Sequence, residues 1–144
     1  MKIVYSYYVL DLVHKGHILQ MRNSKNFAGE DGKLVVGILT DEAAMEKKPK
    51  PIMPFDERVI LAKAIKYADV VIPQETYSPI DNIRRIKPDI LMESVSHNEK
   101  DIKEAIEVMK EWGGKVIITP NYPQQSSTNL KKELRRTNAK REEI

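Results

Sequence analysis

"KIVYSYYVLDLVHKGH" (residues 2–17) decides the fold. Residues 2–9 are a nearly continuous run of β-branched and aromatic side chains, the pattern of a parallel strand buried on both faces. After a short connection the chain reaches Gly16, where a helix over 16–27 is expected. Two of the chain's three histidines, His14 and His17, fall at that helix start. A strand feeding directly into a helix is the opening unit of a βαβ fold.

The same alternation continues outward. Strands are expected at "KLVVGILT" (33–40), "DVVIP" (69–73), "DILME" (89–93) and "KVIITP" (115–120). Helices are expected over about 54–67, 78–86 and 99–112, and again from about 127. "AGEDG" and "WGG" before strands, and Pro73 and Pro120 after them, supply the breaks. The rhythm predicts a Rossmann-like, doubly wound α/β domain: a parallel five-stranded sheet with helices on both faces. Ligands of such sheets bind beyond the strand carboxyl ends, where the strand order reverses. The domain is expected to span 1–134, followed by a charged tail, 135–144. "KKPKPIMP" (47–54) is the one loop rich in both lysine and proline, and no internal repeat is present.

A chain of 144 residues is long enough for one domain with a real core. Charged residues make up 31%, the mean hydropathy is −0.48, and no apolar run approaches a membrane span. The N-terminus reads as a first strand rather than a signal peptide. With no cysteine, disulfides and thiolate metal sites are excluded and a cytoplasmic setting is expected. The formal charge of +3, from 24 basic and 21 acidic groups, is too balanced to imply nucleic-acid binding.

If the helix begins near Lys15, His14 sits at its cap and His17 within its first turn, both on one side. Free backbone N–H groups and the helix dipole favour a phosphate there. Imidazole N–H donors could stabilise charge growing on a phosphoryl group, and Gly16 removes the Cβ that would block close approach. The competing reading is that two polar residues simply occupy a helix start. Zinc fits poorly, because the spacing is not HExxH and a third ligand is not evident.

The segment "LDLVHKGH" resembles the HxGH signature of the cytidylyltransferase-like nucleotidyltransferases, with Asp11 three residues before the first histidine. "SSTNL" (126–130) resembles the family's second signature, and "PFDERVILAKAIKYADVVIP" (54–73) its middle segment. The resemblance runs in matching order from about residue 1 to 134. Within that superfamily the segments "VGILTDEA" (36–43), "VVIPQETYSPIDNIRRIKPD" (70–89), "EWGGKV" (111–116) and "QSSTNL" (125–130) look most like the phosphonate cytidylyltransferases associated with phosphoenolpyruvate mutases. Glycerol-3-phosphate cytidylyltransferase is a near second.

The resemblance implies transfer of CMP from CTP to a small phosphonate or alcohol phosphate, with release of pyrophosphate. The nucleophile is already an anion, so catalysis reduces to positioning and charge stabilisation. His14, His17 and Lys47 are the implied catalytic residues, with Mg²⁺ as cofactor and Asp11 as its ligand or water-mediated holder. Tyr8, Val9, Leu10, Gly16, Glu93, Gln125, Ser126, Ser127 and Thr128 are the implied nucleotide-binding positions. Asp41, Lys48, Lys50, Arg58 and His97 are assigned to the second substrate. Each has a plainer reading beside it. The lysines can be solvated charge, Arg58 can pair with Asp56 or Glu57, and Asp41 can cap the next short helix. The serines can be an ordinary N-cap, and His97 a surface-loop histidine. A homodimer is expected from family likeness, with "VILAKAI" (59–65) or Trp112 as its interface.

The chain departs from the family in three places. Tyr8, Val9 and Leu10 stand where Gly-Thr-Phe is common, and "ESVS" (93–96) where Gly-Asp-Asp-Trp is common; "NYPQQ" (121–125) lacks an expected arginine. Glu93 would repel a triphosphate unless it meets Mg²⁺ or an amine of the acceptor. The rivals are therefore an adenylyltransferase of the same fold and a nucleotide-binding module without turnover.

Overall fold

A computed structural model describes residues 1–120. Its elements run β1 (Ile3–Tyr8), α1 (Lys15–Ala28), β2 (Lys33–Leu39), α2 (Asp41–Met45), α3 (Phe55–Ala64), β3 (Val70–Gln74), α4 (Ile80–Ile86), β4 (Ile90–Ser94), α5 (Glu99–Lys110) and β5 (Lys115–Thr119). The five strands form one parallel sheet, as the sequence predicts, and their order is β3-β2-β1-β4-β5. The expected helix from about 127 and the charged tail lie outside the described residues.

Alternation along each strand separates two cores. Val4, Leu34, Val36, Ile38, Ile90 and Met92 pack on one face with Met21 and Ala28 of α1 and Ala62 of α3. Tyr5, Val35 and Leu91 pack on the other with Ile83 of α4 and Ala105, Val108 and Met109 of α5. Burial of such a side chain contributes roughly 1.5–3 kcal/mol. Trp112 belongs to the second core, and its indole N–H donates to the Pro88 carbonyl at 2.8 Å.

The inner strands also carry a polar tie. The Tyr5 hydroxyl donates to Gln74 Oε1 at 2.5 Å and accepts from Asn82 Nδ2 at 2.9 Å. This bridge passes over Gly37, where an added Cβ would stand 2.0 Å from the Tyr5 oxygen. Only glycine fits there.

β1 pairs with β2 on one side and β4 on the other, so the strand order reverses between β1 and β4. The carboxyl ends of these two strands frame the expected ligand crevice. His14 and His17 rise on the α1 side of it, while Glu93, next along β4 from core residues Leu91 and Met92, rises toward α5.

Candidate active site

His14 is the N-cap of α1, with extended backbone at φ −140° and ψ 176°. Its Nδ1 accepts the Gly16 N–H at 2.9 Å, and its own N–H donates to His17 Nδ1 at 3.2 Å. Two imidazoles thus form a reciprocal capping box, a task usually given to Ser or Thr with Glu or Gln. With both Nδ1 lone pairs engaged by backbone donors, each neutral ring carries its proton on Nε2.

Burial lowers the pKa of His14. Burial also lowers that of His17, to about 3, with the neighbouring His14 and Lys48 adding to the effect. Both rings are therefore neutral near pH 7 and offer Nε2–H donors. Their centroids are 4.0 Å apart, close enough for both to serve one small anion. The Tyr8 ring closes the back of the pair, meeting His17 edge-on at 6.2 Å. Burial pushes the Tyr8 phenol up to about 12, against the opposing hydrogen bonds of Ser6 and Ser24.

The connection that delivers these rings is strained. Leu10 (φ 61°) and Leu12 (φ 58°) adopt left-handed backbone, which costs an L-residue roughly 1–2 kcal/mol. Leu10 is held there by burial in the core at 1% exposure. The Val9 carbonyl is held by Arg58 Nη1 at 2.6 Å. Neither Val9 nor Leu10 is bare backbone of the kind that glycine would present to a phosphate.

Arg58 is not a phosphate grip in this structure. It is 0% exposed, and its guanidinium binds the Met53, Val9 and Leu39 carbonyls at 3.0, 2.6 and 2.7 Å. Its partner is Asp41, at 2.6 Å, rather than the adjacent acids Asp56 or Glu57. One fork ties the ends of β1 and β2 to the approach of α3. Asp41 is correspondingly a partner of Arg58, and the cap of α2 is Thr40, whose hydroxyl accepts the Ala43 N–H at 3.1 Å.

Asp11 likewise has a structural occupation. It is 1% exposed, and its two carboxylate oxygens accept the Ile52 and Met53 N–H groups at 2.8 and 2.9 Å. It anchors the far end of the lysine-rich loop under the β1–α1 connection. A Mg²⁺ ligand needs carboxylate lone pairs turned to the ion, and Asp11 turns both oxygens to backbone. Among the described residues no group of three or more His, Asp or Glu is arranged to hold a metal. Among the described residues, the carboxylate expected to hold Mg²⁺ is committed to backbone donors.

The lysines diverge. Lys47 leaves the histidines for α5, pairing with Asp101 at 2.9 Å and lying 5.0 Å over the Tyr77 ring. Lys48 is the one whose charge is felt by His17. Lys50 is exposed. The structure therefore brings Lys48, not Lys47, toward the imidazole pair.

On the α5 side the sequence reading missed a cluster. Glu93 is 4% exposed; Tyr7 donates to its Oε1 at 2.5 Å and His97 Nδ1 meets its Oε2 at 2.5 Å. Tyr7 and His97 also meet at 3.0 Å. Both Glu93 oxygens thus have protein partners, Tyr7 and His97, where the sequence suggested Mg²⁺ or an amine. His97 is no idle loop residue. The only local sign was the i, i+4 spacing of Glu93 and His97; Tyr7 lies too far away in sequence to be paired by inspection. Gln125, Ser126, Ser127 and Thr128 lie outside the described residues.

Comparisons with known proteins agree with this fold. Over 135 residues the chain is 30% identical to the bifunctional protein HldE of Methylobacillus flagellatus, covering 92% of this chain and 27% of that one. Over 82 residues it is 35% identical to an FAD synthase of Korarchaeum cryptofilum, 56% of this chain and 55% of the other. The chain thus spans about a quarter of the HldE length and about half of the FAD synthase. The crystal structure of a lipopolysaccharide core biosynthesis protein from Thermoplasma volcanium superposes with a TM-score of 0.70 at 26% identity, over 84% of this chain and 96% of that one. Residues 9–133 match the family model described as cytidylyltransferase-like, and the chain belongs to that family.

Proposed function

We propose that this chain transfers a nucleotidyl group from a nucleoside triphosphate to a small acceptor bearing a phosphate or phosphonate, releasing pyrophosphate. The observation that carries the reading is the pair of neutral imidazoles at the start of α1, each with Nδ1 engaged by backbone and Nε2–H free to donate. Donors fixed in this way act on charge that develops at the α-phosphorus as the acceptor oxygen adds and pyrophosphate leaves. Each is worth roughly 10²–10³ in rate when removed. The acceptor oxygen is already anionic and needs no strong base.

The sequence reading takes the donor as CTP and the acceptor as a phosphonate or alcohol phosphate. A second reading, ATP as donor, is favoured by the likeness to an FAD synthase, whose product contains an adenylyl group. In either case Mg²⁺ bound to the nucleotide would neutralise its phosphates while keeping most of its own waters. The homodimer remains part of the proposal, supported by Ile60 at 66% and Leu61 at 36% exposure on α3. The test is pyrophosphate release with ATP and CTP supplied separately against a panel of phosphonates and phospho-alcohols. Release with one nucleotide assigns the base. Nucleotide binding without release from any acceptor leaves the binding module.

A further inference from the structure

We infer that His97 is the acceptor-binding residue of this site, and that it receives a hydrogen bond from a neutral hydroxyl of the acceptor through Nε2. The inference rests on the nucleotidyl-transfer reading and adds the chemistry of the second substrate. Tyr7 has one hydroxyl proton, and the 2.5 Å bond to Glu93 Oε1 uses it. With Glu93 ionised and the His97 ring neutral, the second carboxylate oxygen, 2.5 Å from His97 Nδ1, accepts from that nitrogen. Nδ1 carries the ring proton, and Nε2 is left as a lone pair with no hydrogen-bond partner among the described residues. This is the opposite tautomer to His14 and His17, whose Nδ1 atoms accept. The crevice is therefore lined by donors on its α1 side and by an acceptor on its α5 side.

The charge around His97 selects among hydrogen-bond donors. Each Glu93 oxygen already has a protein partner and the residue is 4% exposed, so the carboxylate presents little surface to an ammonium. The nearby cation is already paired: Lys47, 5.0 Å over the Tyr77 ring that meets the His97 ring at 6.3 Å, binds Asp101 at 2.9 Å. A hydroxyl adds no charge to this set of paired groups.

The test uses the full chain labelled with ¹⁵N, whose three histidines are assigned by His14→Asn, His17→Gln and His97→Gln. Long-range ¹H–¹⁵N correlation above about pH 7.5, where free imidazole is neutral, should find His97 protonated at Nδ1 and the other two at Nε2. With a non-hydrolysable nucleotide present, 2-hydroxyethyl phosphate should move the His97 Nε2 resonance and ethyl phosphate should not. As acceptors, the hydroxyl compound should have a KM roughly 10-fold below that of ethyl phosphate, a single-hydrogen-bond difference. His97→Phe should abolish that preference and His97→Gln, which can still accept, should keep most of it. A His97 ring protonated at Nε2 overturns the inference. So does an equal response to both compounds, a response only to 2-aminoethyl phosphate, or silence toward all three. Failure of nucleotide to perturb His14 or His17 would instead count against nucleotidyl transfer itself.

Discussion

The backbone N–H of His14 donates to His17 Nδ1 at 3.2 Å, so the helix that positions these rings also dictates which nitrogen carries the proton. Capping and catalysis can be separated by substitution. His14→Asn keeps a side chain that caps well, whereas His14→Ala loses the bond to Gly16 and about 1 kcal/mol of stability. Both variants should lose roughly 10²-fold in kcat with little change in nucleotide Kd. Full turnover in a folded His14→Asn variant would reduce the histidine to a cap.

Stability should depend on pH through His17. Its ordinary pKa of 6.5 falls to about 3 in the folded chain, so the unfolded chain binds more protons between those values. The contribution is complete above the unfolded value and is lost progressively as pH falls toward the folded one. His17→Gln retains an oxygen that can accept the His14 N–H but cannot titrate. Urea unfolding at about pH 7 and about pH 5 should show a smaller drop for this variant. Parallel losses in the two proteins would show that His17 is not held neutral by folding.

Asp11 should behave as an anchor. Asp11→Asn leaves one of the Ile52 and Met53 N–H groups without its carboxylate acceptor, at a cost of about 1–3 kcal/mol. Trypsin should then cut faster after Lys47, the one lysine of this loop not followed by proline, in the absence of any nucleotide or metal. Unchanged stability and cleavage, with altered Mg²⁺ dependence of turnover, would restore the metal-ligand role suggested by the sequence.

Arg58 should resist conservative replacement. Arg58→Lys cannot reproduce four directed bonds from a fully buried position. Loss of roughly 3 kcal/mol is expected, as for a broken buried ion pair. The expected signature is a lower unfolding midpoint at every nucleotide concentration. A stable variant with only weakened substrate binding would return Arg58 to the phosphate site.

Much of the fold was legible because the strands are dense local signals. The run at 33–40 became β2 (Lys33–Leu39) and that at 115–120 became β5 (Lys115–Thr119). HKGH was legible as a helix start for the same reason: cap, glycine and second histidine are neighbours. What was not legible depended on distant contacts. Asp11 meets residues 41 and 42 positions away, and Tyr7 meets Glu93 across 86. Arg58 read as a grip on the second substrate or a partner of Asp56 or Glu57, but it points inward under the ends of β1 and β2 to the Val9 and Leu39 carbonyls. The left-handed leucines had no sequence sign, since that conformation is usually left to glycine or asparagine.

The most direct measurement of the central claim is pyrophosphate release by the wild type and by a His14→Asn/His17→Gln double variant. Both are assayed with ATP or CTP across phosphate and phosphonate acceptors, and nucleotide Kd is measured in parallel. The wild type should release pyrophosphate with at least one acceptor, and the folded double variant should lose about 10²-fold or more, with Kd nearly unchanged. Equal release by both proteins, or nucleotide binding by the wild type with no release from any acceptor, would contradict it.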